Sequence, residues 1–97
     1  MSRAQLERRL TETSGQLREA RDELAVVEEQ LAALVGEAES ARLRSLASET
    51  PLAEHEHREA ARHAEAMARH RDVVVGEIEQ LEREQDDLLD RLIAASR

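Results

Sequence analysis

All four histidines of this chain fall between His55 and His70, among Glu54, Glu56, Glu59 and Glu65. Imidazole and carboxylate at helical spacing are the side chains that could ligate a metal ion or exchange protons. His55 and Glu59 stand four apart, and Glu54 and His57 three apart, so each pair shares one helix face. Two ligands do not complete a site. His63 and His70 are one heptad apart, about 10 Å along a helix axis, too far to share an ion within one chain. No H-E-x-x-H motif occurs.

The chain has no Cys, which removes disulfides, thiolate zinc sites and cysteine nucleophiles. No Ser/His/Asp set or Gly-rich phosphate loop is recognisable, and paired carboxylates on a solvated rod have nothing to shift their pKa values. The expectation is a protein with no catalytic residue, no cofactor and no metal, one that works by contact rather than by chemistry.

The elements that must position these residues are written in a heptad. In the first half, apolar or small residues recur at Leu6, Leu10, Thr13, Leu17, Ala20, Leu24, Val27, Leu31, Leu34, Ala38, Ala41, Ser45 and Ser48. In the second the corresponding positions are Ala53, His57, Ala60, Ala64, Met67, Arg71, Val74, Ile78, Leu81, Gln85, Leu88, Leu92 and Ala95, where His57, Arg71 and Gln85 interrupt the apolar pattern. Both series advance by alternating threes and fours, the stepping of a coiled-coil seam. Between Ser48 and Ala53 the same seam position returns after five residues rather than seven, so one continuous helix would twist its seam off axis.

Thr50-Pro51 supplies the break. Pro51 disfavours α geometry at Thr50 and suits the first position of a new helix. Ser2 followed by Gln5 reads as a capping box at the other end. The chain is therefore predicted to be all-α, a single helical hairpin over residues 1–97. Helix 1 covers about 2–48, the turn about 49–51, and helix 2 about 51–95. Folded antiparallel, Leu10 meets Leu92, Leu17 meets Gln85, Leu31 meets Arg71, Ala38 meets Ala64 and Ser45 meets His57. Every layer finds a partner without an insertion. The polar seam residues Thr13, Ser45, His57, Arg71 and Gln85 are expected to set register at some cost in stability. A charged His57 would be costly in the seam, which would make the turn end pH-sensitive.

A lone hairpin has a seam but no deep interior, so its stability is marginal without a partner. A second apolar stripe suggests one. Val35, Ala61, Ala68, Val75 and Leu89 lie on one flank of the seam, and they are the predicted self-association residues of a homodimer, two hairpins forming a four-helix assembly. Gly15, Gly36 and Gly76 all occupy the outermost heptad position, where each costs about 1 kcal/mol against Ala unless another backbone approaches.

Charge and composition narrow the partners. The formal net charge is −8, so phosphate backbones and anionic membranes are expected to be repelled; nucleic acid and membrane are excluded as partners. The absence of Phe, Trp and Tyr also removes base-stacking platforms. With no apolar leader and no membrane-length apolar run, a cytoplasmic location is expected. From Asp72 to Asp90 there are eight acids and one base, while Ala38 to Arg71 has six acids and six arginines; the base of the hairpin is acidic and its tip nearly neutral.

The run from Leu52-Ala53-Glu54 to Ala60-Ala61-Arg62 resembles the turn region of Gre-type transcript-cleavage factors. Those proteins insert an acidic-tipped antiparallel coiled coil into the secondary channel of RNA polymerase. Pro51 stands where that family needs an aspartate, and the family's second domain has no counterpart here. From the heptad and the flank stripe, the leading expectation is a self-associating coiled-coil scaffold or adaptor. The alternative is a regulator that docks on a larger machine, such as RNA polymerase or a sigma factor. It would dock through the acidic base or through the tip residues Glu54, His55, Glu56 and His57.

Overall fold

The computed structural model describes all residues, 1–97, as two helices and no strand. Helix α1 spans Arg3–Ser48 and α2 spans Pro51–Ala95. The helices pack against each other as the all-α hairpin that the heptad predicts. No helix is long and apolar enough to cross a membrane.

The helix ends follow from their capping residues. The Ser2 amide donates to Gln5 Oε1 at 2.7 Å, and the Gln5 amide donates back to Ser2 Oγ at 3.2 Å. Two of the four orphan donors at the start of α1 are thereby satisfied reciprocally. At α2, Thr50 Oγ1 accepts from the Ala53 amide at 3.1 Å, and Pro51 occupies a position that needs no N–H. Between them Glu49 adopts φ 51°, the left-handed geometry usually given to glycine. Its amide still donates to the Ser45 carbonyl at 3.0 Å, closing the last turn of α1. A left-handed residue followed by an N-capping Thr and a Pro reverses the chain in two residues, Glu49 and Thr50.

The seam is where the heptad puts it. Of its 26 positions, only Ser48 and Ala95 are exposed, both at helix ends. The chain divides into two compact units, which both helices run through. The terminal unit comprises Met1–Leu24 and Val74–Arg97. Its core is Leu17, Ala20, Val74 and Ile78, with Leu24 and Leu81 packed against it, and Leu6 and Leu88 are also buried. Burying an aliphatic side chain of this size contributes about 1.5–3 kcal/mol. Thr13 is buried completely in the same unit, and its Oγ1 has no hydrogen-bond partner.

The turn unit comprises Ala25–Val73. Its buried residues are Val27, Ala41 and Ala53, and Leu31, Leu34, Ala38, Ala60, Ala64 and Met67 are half-buried. Two alanines and one valine remove less apolar area from water than the leucines and isoleucine of the terminal unit, so hydrophobic stabilisation is weaker in the turn unit.

Candidate functional site

The surface features are placed by the same seam. In the turn unit, α2 carries Ala61 and Ala68 half-buried, and α1 carries Val35 at 53% exposure. In the terminal unit Val75 is half-buried and Leu89 is 40% exposed. Intramolecular packing thus covers the three smaller or central flank residues in part and leaves Val35 and Leu89 largely in water. Val26, Leu43, Leu46, Leu52, Val73 and Ile93 are also more than half exposed. Single exposed aliphatics are ordinary, but this many on a 97-residue chain add substantially to its wet apolar area.

At the tip, Glu54, His55 and Glu56 are exposed and His57 is half-buried. The expected layer of Ser45 against His57 does not become a hydrogen bond, because Ser45 Oγ donates to the Arg42 carbonyl of its own helix at 2.8 Å. Arg42 also grips Glu39, with Nε and Nη2 donating to the two carboxylate oxygens at 3.0 and 2.7 Å. That bidentate pair holds the Glu39 carboxyl below its ordinary pKa, with a smaller contribution from the charge of nearby His57. Glu59, spaced for a shared ligand role with His55, pairs instead with Arg62. No three His, Asp or Glu side chains converge as a metal site would require.

Opposite charges meet where reach allows. Arg21 and Glu82 lie 3.7 Å apart across the terminal unit, as their register implies. Register alone also sets Arg9 against Arg91. The structure separates them: Arg9 reaches Glu84 at 2.6 Å, and Arg91 folds back to Asp87 at 3.2 Å. Gln85, in the seam, donates through Nε2 to Ser14 Oγ at 3.1 Å.

Two open grooves flank the seam. In the turn unit, small residues Gly36, Ser40, Ala41 and Ala60 floor a groove of about 670 Å³, edged by Glu37, Arg44 and Glu56. In the terminal unit, Gly76 and Leu81 floor one of about 590 Å³, edged by Glu19, Glu23 and Glu77, with Gln16 and Gln80 at its margin. A Cβ added to Gly36 or Gly76 would meet nothing within 4 Å. Neither glycine is therefore required by packing inside the chain. The outer-position glycines were the legible signal for these grooves; Gln16, Glu19 and Gln80 had none, since each reads as an ordinary solvated position.

Comparison with protein-family models, with curated proteins and with solved structures finds no match to this chain.

Proposed function

We propose that this chain is a non-enzymatic coiled-coil interaction protein that associates with a second copy of itself and serves as a scaffold or adaptor. The observation that supports the reading is exposed apolar surface: nine large hydrophobic side chains are 40% or more exposed. Val35 and Leu89 contribute to that surface on the flank shared by Ala61, Ala68 and Val75 in the heptad. Two hairpins joined there would make a four-helix arrangement, in which the flank becomes core.

The variant Val75→Glu tests the interface. Val75 lies outside the buried core, so α2 tolerates the change. A charge there is expected to convert the associated species to monomers with helicity retained by circular dichroism. An unchanged mass would remove this flank from the interface.

A second reading rests on the tip. Glu54, His55 and Glu56 project into solvent at the chain reversal, a position from which a larger partner could be engaged. It predicts that Glu54→Ala and His55→Ala leave folding intact and abolish capture of a large partner from the host extract.

A further inference from the structure

We propose that the terminal-unit groove floored by Gly76 and Leu81 is a docking site for a basic amphipathic helix of a partner protein. The proposal stands apart from self-association and does not depend on it.

Three features select that occupant. The first is charge. Glu19, Glu23 and Glu77 edge the groove and no Arg or His lies in its lining. Glu19 and Glu77 have no ion-pair partner within the chain; the one cation at the margin is Arg83, whose Nη2 donates to Gln80 at 2.9 Å rather than to a carboxylate. Glu19 and Glu77 therefore present carboxylates outside any ion pair to whatever enters.

The second is the floor. Leu81 packs against the core cluster yet is only half-buried, so its outer surface forms apolar ground inside an acidic rim. Arg and Lys side chains match that layout, with an aliphatic stem for the floor and a cation for the rim. A bare metal ion does not match it, because no metal-holding set of side chains converges in the structure.

The third is backbone access. Gly76 sits in the interior of α2, where glycine costs about 1 kcal/mol against alanine. No atom of the chain demands its missing Cβ. A third helix laid along the groove does, because helix axes approach more closely over a residue without a side chain. Gln16 and Glu23 on α1 span two helical turns, about 10 Å, which accommodates two successive basic residues of a partner helix on one face.

The test uses the whole chain and a synthetic peptide of two Leu-Lys-Lys-Leu-Leu-Lys-Leu repeats, with a Glu-for-Lys peptide as counterpart. Isothermal titration at physiological salt is expected to show saturable one-to-one binding of the Lys peptide and none of the Glu peptide. The double variant Glu19→Gln with Glu77→Gln should weaken binding at least tenfold. Gly76→Leu should weaken it comparably while raising the thermal midpoint, a combination that loss of folding cannot produce. Glu37→Gln with Glu56→Gln makes the same change in net charge in the turn unit and should leave affinity unchanged. Equal losses from the two double variants would overturn the proposal in favour of general charge attraction. So would absent saturation, or groove variants that alter the mass of the protein instead of peptide affinity, which would assign the groove to a second copy.

Discussion

Gln85 reaches out of the seam to Ser14, its Nε2 donating to the Ser14 hydroxyl at 3.1 Å. The heptad sets Gln85 opposite Leu17, an apolar partner that cannot satisfy an amide. Ser14 lies one position outside the seam and is half-buried, so the bond forms at the edge of the core. A slip of the helices would leave that amide in apolar surroundings with no acceptor, which is how one polar seam residue penalises alternative registers.

Gln85→Leu separates stability from register. Replacing a half-buried amide with an apolar side chain is expected to stabilise by about 1 kcal/mol, read as a higher urea midpoint. Spin labels at Arg18→Cys and Glu79→Cys should then report a broader distance distribution than in the parent. A lower midpoint would show that the Ser14 bond is worth more than the apolar burial it displaces.

Thr13 offers a cleaner gain. Its hydroxyl is fully buried and makes no hydrogen bond, which costs about 1–3 kcal/mol in lost hydration. Thr13→Val keeps the shape and removes the orphan. The unfolding free energy should rise by about 1 kcal/mol or more, and a fall would mean that the hydroxyl finds a partner in solution.

Glu49 ends α1 with φ 51°, where a Cβ is sterically costly. Glu49→Gly removes that cost but loosens the unfolded chain, so the net stabilisation should be modest, about 0.5–1 kcal/mol. Glu49→Val should destabilise, because a β-branched side chain fits the left-handed region worst. The pair of thermal midpoints, one on each side of the parent, checks the assignment.

The Glu39 carboxyl is held below its ordinary pKa, chiefly by the hydrogen bonds from Arg42. A depressed folded value means that the unfolded chain binds this proton more readily. The stabilisation is complete above the ordinary carboxylate value and disappears as pH falls through the lowered one. Arg42→Ala should return the Glu39 titration, followed by carboxyl NMR shifts, towards its ordinary value. Both residues are exposed, so the effect on global stability near neutral pH should be small.

The backbone architecture was readable because its causes are local. The three-four stepping fixed which face is buried, and the exceptions Ser48 and Ala95 are exposed because each stands at the last residue of its helix. Ser2 with Gln5 and Thr50 with Pro51 announced both helix starts, since capping needs only residues three apart. Side-chain choices were less legible. Arg9 selects Glu84 over the position facing Arg91 because a long guanidinium reaches along the groove to the opposite charge. The grooves depend on side chains from both helices at once, so Gly76 alone could mark that something was missing but not what surrounds it.

Sedimentation equilibrium of the unmodified protein across a hundredfold range of concentration reads self-association without any substitution. A pair of hairpins gives a mass of twice 11.0 kDa that falls towards 11.0 kDa only on dilution. A mass of 11.0 kDa at every concentration would contradict that pairing and leave the exposed flank without its proposed occupant.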